Sequence, residues 1–122
     1  MNTPVALLPK VRSPALMAAI QGMPCSLRLA SFGGMSCASQ KTVVGCHVGS
    51  VGKGMSTKVS DLMVAAGCAT CHDLLDRRNR EGMNLADRYP AAWPSQILRA
   101  VAETQARLVE MGIIVVLGAK VL

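Results

Sequence analysis

The placement of four cysteines constrains this chain more than any other feature of it. Cys68-Ala-Thr-Cys71 is followed directly by His72, and Cys25 and Cys37 lie upstream at the two ends of one glycine-bearing segment. A two-residue gap lets a turn aim both thiolates at one ion. Ser31-Phe-Gly-Gly-Met-Ser-Cys37 reads as a tight turn that returns Cys37 to the side of Cys25, so this pair can supply the other half of the site. Four thiolates around zinc form a closed structural centre whose binding free energy acts as folding free energy. Taken alone, Cys68-x-x-Cys71 also reads as a redox pair or as chance. The upstream pair moves the reading to a structural zinc held by Cys25, Cys37, Cys68 and Cys71.

Disulfides are the competing use of these residues. Five cysteines leave one unpaired in any all-disulfide scheme. Met1–Leu8 is apolar but has no basic start, and Pro9 and Lys10 interrupt it before a secretory core forms. No apolar run approaches the ~20 residues that span a bilayer. The expected setting is therefore cytoplasmic, with no membrane contact, where clustered cysteines more often bind metal. A chain of 122 residues suits one domain. Its apolar half is mostly Ala, Val, Leu and Met, with only Phe32, Tyr89 and Trp93 as aromatics. Such a core specifies itself less sharply and gains from a metal staple. Cys46 is the leftover thiol, read as a buried spectator.

Charge is unevenly spread. The net charge is +6, and residues 1–60 contain no acid while carrying Lys10, Arg12, Arg28, Lys41, Lys53 and Lys58. The first acids, Asp61, Asp73 and Asp76, flank the Cys68–His72 motif. A basic surface with carboxylates gathered near one Cys/His cluster suits a polyanion bound around a cation. The plainer reading is charge that keeps a small protein in solution.

Along the chain, residues 1–12 read as a flexible N-terminal arm and residues 13–122 as one domain. Ser13-Pro14 starts a short helix through Gln21, with Ser as cap and Pro at the first helical position, ended by Gly22 and Pro24. Cys25–Leu29 alternates as a strand, and Thr42–Val48 reads as a second one. Gly49–Ser56 is a glycine-rich loop, and Asp61–Ala66 is either strand or turn. A helix is expected from Cys68 to about Arg80, stopping near Gly82, with 83–94 irregular. Ser95 then caps a longer helix, Gln96–Met111, with Ile97, Leu98, Val101, Leu108 and Val109 as its apolar stripe and Gly112 as its stop. The apolar segment after Gly112 reads as a further strand.

Only two histidines are present, and each adjoins a cysteine. His72 and Asp76 stand four residues apart on the expected helix, so both project from one face as a divalent-metal pair distinct from the thiolates. His47, on a strand carried over the zinc centre, could then act as a general base that activates water. The plainer readings are His72 as a fifth candidate zinc ligand and His47 as an ordinary strand histidine.

The residues also carry a family likeness. Gly22-Met-Pro-Cys25-Ser-Leu-Arg28-Leu, Thr42-Val-Val-Gly-Cys46-His47-Val, Gly52-Lys-Gly-Met55, Lys58-Val-Ser-Asp61 and Cys68-Ala-Thr-Cys71-His72-Asp73-Leu-Leu-Asp76-Arg77-Arg78 resemble the prophage nuclease family typified by YbcO. That family lies within the wider HNH (His-Me finger, ββα-metal) superfamily. Ile97–Gln105 is similar to its C-terminal helix, so the likeness covers about residues 11–117.

The resemblance implies an α+β fold: a zinc-stabilised ββα-metal core with flanking N-terminal and C-terminal helices. It implies His47 as the general base and His72 and Asp76 as ligands of a catalytic divalent metal, magnesium or manganese. Asp61 matches the middle Asn, which orients the base. The superfamily often has a metal ligand just before the base, but here that position is Cys46, a poor partner for magnesium. A third ligand would then come from Asp61 or Asp73, or be missing.

The implied activity is endonucleolytic hydrolysis of DNA, with Arg77, Arg78 and Lys53 contacting phosphates. Such contacts position a duplex without reading its sequence. Two other readings compete: a non-catalytic zinc-stabilised nucleic-acid-binding module, and a thiol-redox protein using Cys68 and Cys71. The C-terminal helix and apolar tail could supply a homodimer surface.

Overall fold

The computed structural model describes residues 8–49 and 59–122. Lys53 and nearly all of the Gly49–Ser56 loop lie outside the described residues, as does most of the expected arm. The end of that arm is tied down: the Val11 N–H donates to Ser60 Oγ at 3.0 Å and Arg12 to the Val59 carbonyl at 2.7 Å.

Helix α1 (Pro14–Ile20) starts as its sequence predicts, with Ser13 Oγ accepting the Leu16 N–H at 3.1 Å. It buries Leu16 and Ile20. The next segment departs from the expected strand over Cys25–Leu29. The Ser26 and Leu27 N–H groups both converge on the Ala66 carbonyl, at 2.8 and 3.1 Å. Two consecutive donors on one acceptor make a knuckle, because a strand points successive N–H groups to opposite sides. The chain continues into a 3₁₀ turn, Leu29–Gly33, and after a second one, Gln40–Thr42, enters β1 (Val44–His47).

Strand β1 pairs antiparallel with β2 (Val64–Gly67), Val44 opposite Gly67 and His47 opposite Val64. The Asp61–Ala66 segment thus divides into a turn and then a strand. All of β2 is buried. Its outer edge is satisfied by side chain and knuckle rather than by a third strand: the Ala66 N–H donates to the buried Thr104 Oγ1 at 2.9 Å, and its carbonyl receives the knuckle. Gly67 permits this packing, since a Cβ there would stand 2.5 Å from Leu27 and 2.8 Å from the Cys46 sulfur.

Three helices follow: α2 (Ala69–Leu75), α3 (Arg80–Arg88) and α4 (Ala92–Glu110). The single helix expected over 68–80 is shorter, and the stretch 83–94 is largely helical. Asn79 Oδ1 caps α3 through the Gly82 N–H at 2.9 Å. Gly82 lies inside α3 instead of ending a helix. A Cβ at that position would come within 2.7 Å of the Leu74 carbonyl, so glycine lets α3 cross the end of α2.

Helix α4 begins ahead of Ser95, with Pro94 in its first turn, where a missing N–H breaks no helical bond. Its end matches expectation. Gly112 (φ +74°) completes a Schellman closure, with the Gly112 N–H on the Val109 carbonyl (3.0 Å) and the Ile113 N–H on the Leu108 carbonyl (2.9 Å). The apolar tail beyond it is not a strand, and Leu117 stands fully exposed.

Helix α4 packs on β2 and on α1, and it buries Trp93, Ala100, Val101, Thr104 and Leu108. Leu98, expected in this stripe, is 68% exposed. All three aromatics meet in one cluster, with ring centroids 5.2 Å apart for Phe32–Tyr89 and 5.8 Å for Phe32–Trp93. Among the described residues the fold is α+β, with four helices and one two-stranded antiparallel sheet. Among the described residues no helix is long and apolar enough to cross a membrane.

Candidate metal centre and active site

Cys25, Cys37, Cys68 and Cys71 come together. Their four sulfurs all lie within 4.8 Å of one another, and those of Cys37 and Cys71 are 3.7 Å apart. Sulfurs at ~2.3 Å around a tetrahedral zinc are separated by roughly 3.8 Å, so the cluster has the dimensions of a zinc site.

Its two halves are built alike. The Cys25 sulfur accepts the Arg28 N–H at 3.5 Å, three residues on, as the Cys68 sulfur accepts the Cys71 N–H at 3.4 Å. The Cys68 N–H closes on Cys25 (3.4 Å) and the Ala38 N–H on Cys68 (3.3 Å). Cys68 thereby also caps α2.

Backbone donors around sulfur favour its anionic form. The hydrogen bond from Cys71, helped by the N–H groups of Arg28 and Cys68, outweighs burial and holds Cys25 down to about 4. Burial and the negative charge on Cys25 push Cys37 up to about 11, and the bond with Cys25 and burial raise Cys71 as well. Four thiolates this close to one another need a cation among them. The donor set is soft sulfur, which fits zinc.

Helix α4 grips the knuckle from outside. Arg28 makes a two-pronged bond to Glu103, 3.0 Å at each oxygen, while Ser26 Oγ donates to Glu103 at 3.1 Å. Gln96 bonds the Leu27 carbonyl and Arg99 the Ser26 carbonyl. The Arg28 guanidinium foremost, with Ser26 and the Arg99 charge, holds Glu103 down to about 2 against the opposing effect of burial.

Strand alternation separates the two residues at the end of β1. Cys46 points into the core with no exposure, and burial pushes its thiol up to about 12. It offers no ligand to the outer face, where His47 stands with its side chain 40% exposed. His47 Nε2 lies 2.8 Å from Asp61 Oδ1. The other oxygen of Asp61 accepts the Ser13 N–H at 2.8 Å, and Arg12 stands 3.9 Å away. Burial works against the Asp61 carboxylate, but the bonds from His47 and Ser13 and the Arg12 charge outweigh it and keep Asp61 below its ordinary range. A carboxylate on Nε2 holds the proton there and leaves the Nδ1 lone pair free to accept one.

His47 opens on a cavity of about 590 Å³ that Asp76 and Arg77 also line. On α2, His72 Nε2 is 3.3 Å from Asp76 Oδ2. Arg78 spans both neighbouring acids, at 2.9 Å from Asp76 and 3.0 Å from Asp73. Arg77 has a left-handed backbone (φ +53°) immediately after α2. Among the described residues, the thiolate tetrad is the one group of three or more candidate donors that converges. His47 and Asp76 line one cavity and His72 meets Asp76, but the three do not form such a group.

Sequence reasoning missed the α4 grip, because Gln96, Arg99 and Glu103 look like an ordinary solvated helix face. Their spacing of three and four residues was the available signal. It also missed Trp93, Ile97 and Leu98 as walls of the cavity.

Neither the curated proteins nor the solved structures contain a match to this chain. A family model described as "Putative nuclease YbcO" matches residues 14–113, a span running from α1 through the closure of α4 and including all four clustered cysteines, His47, His72 and Asp76. That description supports a nuclease-like function acting on nucleic acid, and the chain belongs to the YbcO family.

Proposed function

We propose that this chain is a metal-dependent, HNH-type endonuclease of prophage origin that hydrolyses DNA phosphodiester bonds in the cytoplasm. The observation that carries the reading is the His47–Asp61 pair at the mouth of a cavity shared with Asp76 and Arg77. The order β1, β2, α2 agrees with a ββα arrangement. The thiolate centre, holding zinc, does no chemistry. It fixes the segment before β1 to the start of α2 and so sets His47 against the helix of His72 and Asp76.

In this reading Asp61 keeps the His47 proton on Nε2, and Nδ1 takes a proton from the attacking water. Arg77 holds a neighbouring phosphate. His72 and Asp76, whose Nε2 and Oδ2 lie 3.3 Å apart, would together hold a divalent ion. Magnesium or manganese bound there would stabilise charge on the scissile phosphate and the leaving oxygen.

Purified protein with magnesium or manganese should nick supercoiled DNA. His47→Ala should lose at least about a hundredfold in rate while keeping its zinc and its melting temperature. Equal cleavage by the variant would remove His47 from the role.

One observation favours a second reading. Arg78 already neutralises Asp73 and Asp76, as in a non-catalytic zinc-stabilised nucleic-acid-binding module that needs no second metal. Such a module would bind DNA equally well without magnesium and never cut it.

A further inference from the structure

The cavity beside His47 is unlike a groove made only for phosphates. His47, Asp76 and Arg77 form its polar rim, but Met63, Leu75, Trp93, Ile97, Leu98 and Val101 supply an apolar wall. Leu98 is 68% and Met63 40% exposed, so neither is held there by burial in the core. The cations of α4 are elsewhere, with Arg99 and Arg107 turned toward Glu103. A duplex lying with its phosphates at His47 would present more charged backbone to this wall, which among the described residues has no cation and, apart from the Trp93 indole N–H, no side-chain donor to meet it. The face of a nucleobase matches it, as apolar and aromatic side chains receive bases taken out of a stack. Its volume of about 590 Å³ is within the range of small-ligand sites.

We infer that this cavity takes an unpaired base of a DNA strand whose phosphate rests at the His47–Arg77 rim, so that the substrate is single-stranded or gapped DNA rather than intact duplex. The inference rests on the nuclease reading and names its substrate. Charge complementarity agrees: the rim carries Arg77, and the chain as a whole carries +6.

The sign of a binding preference tests it. A basic surface without a base pocket binds duplex at least as tightly as a single strand, because duplex has the higher charge density. Fluorescence anisotropy in magnesium-free buffer, with the zinc-loaded chain, would compare a labelled single-stranded oligonucleotide with its blunt duplex. The expected preference is about tenfold for the single strand, the scale of one stacked base. Leu98→Gln should abolish that preference with duplex affinity and melting temperature unchanged. Met63→Gln repeats the test from another side chain of the same wall.

Equal or tighter duplex binding would overturn the inference, as would a single-strand preference that both variants retain. Cleavage is read separately with magnesium added. A lost preference in both variants together with no cleavage by the unsubstituted chain supports the pocket and counts against the nuclease reading. Equal cleavage of both substrates with no binding preference overturns the pocket and leaves the nuclease reading standing.

Discussion

Replacing Arg77 with glycine should make the protein more stable and bind DNA less well. Helix α2 ends in a Schellman closure, with the Arg77 N–H on the Leu74 carbonyl and the Arg78 N–H on the Asp73 carbonyl, both at 3.1 Å. The residue after the cap is left-handed in this motif and is usually glycine. Here it is Arg77, at φ +53°. A side chain in that conformation costs roughly 1–2 kcal/mol. Glycine removes most of that cost but gives back about 0.4–1 kcal/mol through the greater freedom of the unfolded chain. The net gain is on the order of 0.5–1 kcal/mol, or about 2–4 °C in Tm for a chain of this size.

The side chain that is lost lines the cavity mouth, so the salt dependence of DNA binding should fall by about one phosphate contact, together with affinity. Thermal denaturation and anisotropy across a salt series read the two effects. A variant that is less stable, or one that binds with an unchanged salt slope, would refute the argument that Arg77 keeps a strained backbone for the sake of the strand it holds.

Other changes separate scaffold from bystander. Cys37→Ser should lower bound zinc well below one ion per chain and broaden or abolish the thermal transition, whereas Cys46→Ala should keep its zinc and cost only about 1 kcal/mol for the small void. Zinc content by elemental analysis distinguishes them. Glu103 is held at about 2 from an ordinary value of 4.5, so its stabilisation is complete above 4.5 and is lost as pH falls through about 2. Glu103→Gln should therefore be less stable at neutral pH and should show a flatter decline in Tm between those values. Gly82→Ala should destabilise by about 1–3 kcal/mol in urea, because its Cβ would meet the backbone of α2.

What could be read from the residues alone followed local chemistry. The tetrad was legible because two-residue spacing and a glycine turn bring thiolates together without long-range information, and the α1 cap and the α4 closure depend on two or three adjacent residues. The knuckle at Ser26–Leu27 was not legible. Its alternating side chains imitate a strand, and only the Ala66 carbonyl, forty residues on in the fold's β2, shows that both N–H groups turn the same way. Helix α2 stops at a residue that is not glycine, which left Gly82 as the apparent end, while the actual role of Gly82 is a close helix crossing. Leu98 fits an apolar stripe by periodicity and yet faces the cavity, because periodicity does not say where a helix lacks a neighbour. The His47–Asp61 pairing was suggested by the family resemblance, which matched Asp61 to the residue that orients the base, whereas no local pattern encodes its 2.8 Å contact across the turn before β2.

On the proposed reading two metal sites divide the work, one holding the fold and the other meeting the phosphate. Anomalous diffraction from crystals of the zinc-loaded protein soaked in manganese, collected at both absorption edges, tests it most directly. The expected result is a zinc peak among Cys25, Cys37, Cys68 and Cys71, and a separate manganese peak on His72 and Asp76. Manganese bound nowhere outside the thiolates, or a single metal shared between the cysteines and His72, would contradict it.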